Sequence, residues 1–301
     1  MKNKFSRRKF LQATAVSAPA MMLPISAMAG THEMKKEKPF APNKSLLKIG
    51  LHTFNIGKNW DIETIIKNCT EAEWQSVELR TTHAHGVEVT LSAAERDAVK
   101  KRFEDSALEK ISLSSGFFYH SPDPAELKQN IEGTKEFTLL AKDVGAIGIR
   151  VFPNALPDGV PVEKTIEQIA KALDEVCEFG YNNGVEIRTC VHGKKTNRVT
   201  VIKQIIDQAN SPHVYVNWNC DKNDSEGEGF EYNFNSIKDR IKGVHMHELW
   251  NPEYPYRLFF KLLAESGFEN YCNCEIGRES CEPLEFMKYY RGLFLALQNA
   301  I

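Results

Sequence analysis

The chain has 301 residues, 42% hydrophobic and 26% charged, with a formal net charge of −2. That is ordinary globular composition, enough for a substantial core in one large or two small domains. The slight acidity gives no reason to expect nucleic acid or an anionic membrane as partner, and it argues against an endonuclease, which would want a basic groove.

The N-terminus reads as a targeting segment. "SRRKFLQ" sets Arg7 and Arg8 before Phe10 and Leu11, an Ala-rich apolar run follows, and "AMAG" places Ala27 and Ala29 at A-x-A spacing. This resembles a twin-arginine (Tat) export signal over residues 1–29, cut near Ala29. Residues 30–45, polar and Pro-containing, read as a flexible leader. The expected location is the periplasm or another exported compartment, with no membrane span after signal removal. No later run approaches the roughly 18 apolar residues of a span. Seven cysteines make an odd number for a disulfide framework, and Cys272 and Cys274 alternate with Asn273 in a poor geometry for a mutual bridge. Most are read as buried thiols.

From residue 46 onward apolar strand-like runs alternate with helical patterns. The strands read are 47–54, 76–82, 111–119, 145–153, 185–192, 214–220, 241–249 and 271–277. "TLSAAERDAVKKRF" carries a capping Ser or Thr ahead of Glu95, and "SPDPAELKQNIEGTKEFTLLAKDVG" has Pro near its first turn and a terminal Gly. "PVEKTIEQIAKALDEVCEFGYNNG" repeats apolar residues at three- and four-residue spacing, and an amphipathic pattern from Glu282 closes the chain. Eight strands alternating with helices over some 250 residues predict an α/β fold, a single (β/α)8 TIM barrel over 46–301. A doubly wound sheet would want a Gly-rich phosphate turn after an early strand, and "GAIGIR" has neither the position nor the spacing.

In such a barrel the site forms at the C-terminal ends of the strands. Histidines collect there: His52, His83, His85, His120, His192, His245 and His247. His245 and Glu275 end neighbouring strands seven and eight. Imidazole plus carboxylate suits one divalent ion (Zn, Mn or Co), and the carboxylate could also act as base on a proton beside a carbonyl. A structural ion pair is the competing reading. His247 should face the same way and contact substrate or support the ligands. Arg80, Arg150 and Arg188 near one mouth would favour a carboxylate or phosphate on the ligand, against internal pairing with Glu78 and Glu186. His85, His120 and Trp250 complete the candidate substrate contacts, Trp250 for stacking on a sugar ring.

"SVELR", "VHG" after strand five, "VNWN", "VHMHEL" and "CEIG" together resemble the xylose isomerase-like barrel family, the sugar isomerase and epimerase group that also includes endonuclease IV. The resemblance implies one divalent metal bound by Glu, Asp, His and Glu at the ends of strands five to eight, with the two glutamates exchanging the substrate proton from opposite faces. Carried over, His245 and Glu275 are of the expected type. Asn219 stands where the family has Asp, and Cys190 stands where it has Glu, just before His192. Asn still offers a neutral oxygen, and Cys can ligate as a thiolate, which favours a softer ion such as Zn. Cys cannot readily supply the second carboxylate of a two-base epimerisation.

Two functions follow. One is an exported isomerase, epimerase or related lyase acting on a sugar or keto-sugar, with Glu275 as proton-transfer group, His192 or His247 as the second, and metal at His245, Glu275, Asn219 and Cys190. The other is a non-catalytic sugar or sugar-acid binding protein that has lost the metal.

Overall fold

A computed structural model describes residues 47–277 and 282–299. The segments read as export signal and leader, and Arg278 and Cys281, lie outside the described residues. The barrel strands are β1 (Lys48–His52), β2 (Ser76–Arg80), β3 (Lys110–Phe118), β4 (Gly148–Phe152), β5 (Glu186–Cys190), β6 (Tyr215–Trp218), β7 (Ile241–Met246) and β8 (Tyr271–Cys274). All neighbours are parallel and the sheet closes, β1 pairing with both β2 and β8. The helices are α1 (Ile62–Glu71), α2 (Ala93–Glu104), α3 (Pro124–Asp143), α4 (Val162–Asn182), α5 (Val199–Gln208), α6 (Phe230–Ile237), α7 (Tyr256–Glu265) and α8 (Pro283–Leu297). This is the single (β/α)8 barrel that the sequence predicts.

The helix starts follow from their caps. Ser92 and Glu95 form a reciprocal capping box on α2, and Asp123 caps α3 ahead of Pro124. The chain leaves α3 and α4 through Gly145 and Gly184 in the left-handed region, at φ 76° and 73°. Four helices, α1, α5, α6 and α7, carry no comparable start signal read from the sequence, although Asp61 does cap α1. Seven of the eight strands are shorter than their sequence reading, chiefly at the C-terminal end, while β3 keeps its nine residues shifted by one. His192, Asn219, His247 and Glu275 therefore lie just past the ladder, where the chain turns outward and side chains crowd the mouth.

Alternation within the strands divides the core. Cys272 and Cys274 face outward into the apolar layer under the helices, and the six described cysteines are all free and buried. Between them Asn273 points inward. The barrel interior is polar and tightly filled, with glycines making room. A Cβ on Gly50 would sit 2.1 Å from Ser76 Oγ and 2.2 Å from Asn273 Oδ1, and one on Gly243 would sit 2.4 Å from Asn217 Oδ1.

Outside the barrel, Asn154–Ala155 pairs in parallel with Gly193–Lys194, joining the loops after β4 and β5. Gly193 sits at φ 108°, and a Cβ there would meet Asn154 O at 1.9 Å. Only glycine permits this approach. Gly193→Ala is expected to break the pairing and displace His192, costing about 1–3 kcal/mol in a urea unfolding measurement.

The turn after β6 is held by a buried chain. Trp218 Nε1 donates to Tyr254 Oη (2.8 Å), whose hydroxyl donates to Asp224 Oδ2 (2.7 Å). Burial raises the Asp224 carboxyl to about 7, against the opposing pull of these donors. The folded state therefore binds this proton more tightly than the unfolded chain. Its contribution to stability is full below about pH 4 and lost as pH rises through 7. Asp224→Asn should remove that decline, gaining roughly 2–4 kcal/mol over the wild type above pH 7 in chemical denaturation across pH 5–8.

Candidate active site at the barrel mouth

The centre of the mouth is one imidazole between two carboxylates. His245, from the end of β7, places Nε2 2.9 Å from Glu78 Oε1 and Nδ1 3.1 Å from Glu275 Oε2. Glu78 comes from the inward face of β2 and is fully buried. Its other oxygen accepts from Asn273 Nδ2 (3.1 Å) and Ser112 Oγ (3.3 Å). Glu275 lies higher, its side chain 17% exposed. His52, from β1, packs its ring 4.7 Å from that of His245 and aims Nδ1 at Glu275 Oε1, 3.6 Å away, while its Nε2 meets Ser114 Oγ at 2.9 Å.

The charges follow from this placement. Burial alone would lower the His245 pKa, but Glu78 and Glu275 overcome it and hold the imidazole well above its usual range. Burial would likewise raise both glutamates. Facing His245 and His52, Glu78 instead falls to about 2, and Glu275 lies well below the ordinary carboxylate value. His52 is the opposite case. Desolvation dominates, with His245 and Arg150 adding to it, and its pKa drops to about 3. The site thus holds a neutral imidazole beside two ionised carboxylates.

His52, His245 and Glu275 each offer a donor atom, all within 4.8 Å of one another. The fit to a divalent ion is good. His52 Nδ1 and Asn219 Oδ1 are buried with no hydrogen-bond partner. Glu78 grips the far nitrogen of His245, the carboxylate–histidine support common behind metal ligands. Two imidazole nitrogens and a carboxylate suit Zn, Co or Mn.

Cys190 does not join this group. It is buried beside His245, whose proton it helps to hold, and its Sγ accepts from Asn217 Nδ2 at 3.6 Å. Of the four residues read from the sequence as ligands, His245 and Glu275 stand in the group of donors within 4.8 Å, an imidazole from β1 joins them, and the thiol of β5 lies outside it.

Three further placements bear on the candidate residues. His247 contacts backbone carbonyls with both nitrogens, Glu275 O and Asn219 O at 3.0 Å each, so it positions those residues and has no free nitrogen for catalysis. His85 is spent on its own loop, Nε2 donating to Arg80 O (2.8 Å) and Nδ1 accepting from Val87 N (3.1 Å). Arg188 pairs inward with Glu186 Oε2 at 2.6 Å, toward the opposite end of the barrel. A Cβ on Gly148 would sit 2.9 Å from its guanidinium carbon. Neither His85 nor Arg188 is placed to touch a ligand at the mouth.

The remaining candidates stay near the rim. The His192 ring packs against Phe152 at 5.0 Å, and its pKa is lowered by desolvation and then by Arg150, which leaves a neutral imidazole. His120 packs against Phe118 with a buried, unpartnered Nδ1. Trp250 stands 70% exposed on the loop after β7. A cleft of about 420 Å³ between β3 and α3, lined by Thr81, Glu88 and Gly133 among others, contains none of the His52, His245 and Glu275 group.

A closed parallel barrel with imidazoles and carboxylates gathered at its C-terminal mouth belongs to the (β/α)8 barrel class, which builds its sites at that end. The chain belongs to the xylose isomerase-like TIM barrel family, whose model matches residues 66–291. Solved structures agree in fold. L-ribulose 3-epimerase superposes with TM-score 0.71 at 17% identity, covering 85% of this chain and 96% of that one. A 3-keto-D-glucoside 4-epimerase from E. coli, YcjR, in its apo form gives 0.68 at 14%, covering 84% and 99%. The IOLI protein with a bound zinc atom gives 0.68 at 14%, covering 85% and 99%. No curated protein sequence matches the chain. Among the described residues no helix is long and apolar enough to cross a membrane.

Proposed function

We propose that the chain is an exported sugar isomerase or epimerase-like enzyme that moves a proton beside the carbonyl of a sugar or keto-sugar. The observation that carries this is the His52, His245 and Glu275 group, with Asn219 Oδ1 orphaned just past the end of β6, the strand beside β7. These four would hold one divalent ion, which when bound would polarise the substrate carbonyl. Glu275 takes the proton from the carbon beside that carbonyl. His192, neutral at the rim, is the proton-transfer group on the other side. Phe152 packs against its ring and limits its freedom. Glu78 and His247 do not touch substrate; they fix His245 and the chain around Glu275.

The test is metal content by elemental mass spectrometry, with proton exchange of sugars in deuterated water followed by NMR. About one Zn, Mn or Co per chain and deuterium at the carbon beside the carbonyl are expected. One observation favours the second reading, a sugar-binding protein without turnover: β5 supplies Cys190 in place of a second carboxylate. Absence of metal together with sugar binding but no exchange would establish that reading.

A further inference from the structure

The functional reading leaves two guanidiniums unexplained. Arg150 is 3% exposed. Its Nη1 donates to Ser115 O (3.0 Å), Nη2 donates to Ser114 Oγ, and Nε has no partner. Its guanidinium carbon lies 3.8 Å from the centre of the Phe152 ring. Arg80, half-buried at the end of β2, donates from Nη1 to His83 Nε2 (3.1 Å) and lies over Phe54 at 5.5 Å. Each arginine is thus seated on an aromatic face and tied by neutral groups. The His83 partner is itself held neutral, its pKa lowered to about 4 by desolvation and by Arg80.

Among the described residues no carboxylate lies within 4.0 Å of either guanidinium, whereas Arg188 in the same barrel has Glu186 at 2.6 Å. The carboxylates that do act on them from farther off are Glu275 and Glu78, and both are already bonded to His245. Asp221, across the mouth near His192, accepts from the backbone of its own turn at Asn223. Two guanidiniums, Arg80 and Arg150, therefore stand in excess at the mouth, with no carboxylate of their own among the described residues. A buried charge without a partner costs several kcal/mol. Such an excess beside a site is what an incoming anion would balance, and a guanidinium fork suits carboxylate or phosphate.

We propose that Arg80 and Arg150 seat an anionic group of the substrate, so that the sugar worked on at Glu275 is a sugar acid or a sugar phosphate and not a neutral sugar. Arg80 makes the direct contact from the open side, and Arg150 supplies field from below. This rests on the functional reading above for the identity of the ligand as a sugar.

The test is calorimetric binding to the full, metal-loaded protein of four probes: D-glucuronate, D-glucose 6-phosphate, D-glucose and inorganic phosphate. At least one anionic hexose should bind about tenfold or more tighter than glucose, the scale of one charge-assisted hydrogen bond. Which one wins assigns carboxylate or phosphate. That advantage should fall below about threefold in Arg80→Gln. Arg150→Gln serves as a second variant, with circular dichroism confirming its fold. Equal binding of glucose, an advantage that survives both substitutions, binding of inorganic phosphate alone, or binding of none of the four overturns the proposal. Proton exchange measured alongside separates the two readings. Exchange of a neutral sugar leaves the enzyme standing and removes the anion seat. Arginine-dependent binding of anionic sugars without exchange of any does the reverse.

Discussion

Glu78→Leu should cost about 3–5 kcal/mol of stability. The reason lies in what it leaves behind. His245 would keep a proton with one of its two carboxylates gone, and Asn273 Nδ2 would lose its acceptor. In a barrel of this size that corresponds to a fall of roughly 6–20 °C in Tm, at about 2–4 °C per kcal/mol. Glu78→Gln should cost less, since it keeps the shape and an acceptor oxygen. The pH dependence separates charge from shape. Glu78 titrates at about 2 when folded, against an ordinary value of 4.5. Its folded-state pKa is depressed, so its contribution to stability is full above pH 4.5 and lost as pH falls toward 2. Urea midpoints between pH 5 and 2.5 should therefore fall more steeply for wild type than for Glu78→Gln. Parallel curves would mean that Glu78 is not ionised in the fold.

The barrel was legible because period-two strands and helical spacing alternate eight times, and because polar residues interrupt the strands at their ends. His245 and Glu275 were legible for the same reason: each follows an apolar strand on the inward face. Glu78 and His52 were not assigned to the site. Spacing tells which face a residue takes but not what closure brings opposite it. Closure sets β1 against β8, and the buried Glu78 reaches across to the imidazole of β7. Sequence reasoning instead offered Glu78 an arginine. Arg150 and Arg188 show a second limit. They are register partners on adjacent strands, yet one guanidinium turns toward Ser114 and Ser115 and the other toward Glu186. Like charges side by side diverge along the barrel axis, and strand periodicity carries no information about that direction. His247 is a third case. It shares the parity of His245, but beyond the end of β7 the chain has left the ladder, so parity no longer fixes where the ring points.

Glu275→Gln should do the opposite of Glu78→Leu: little loss of fold and a large loss of function. Glu275 sits at the solvent side of the same imidazole, and Glu78 still balances His245 from below when it is neutralised. Gln is nearly isosteric and cannot accept the substrate proton. A positioned acid or base contributes about 10²–10⁴ in rate, so proton exchange should drop by at least that range, while Tm moves by only a few degrees. Bound metal should fall as well, because the only carboxylate of the proposed ligand set is lost. Companion substitutions test the set itself. His52→Phe should release metal while leaving Glu275 ionised beside His245, whereas Cys190→Ser should retain it, since the thiol faces Asn217 and lies outside the group. Metal lost from Cys190→Ser but kept in His52→Phe would return the ion to the β5 strand end and overturn the β1 assignment. Full exchange in Glu275→Gln with metal present would move the proton-transfer role elsewhere, to the neutral imidazole of His192, the other candidate group at the rim.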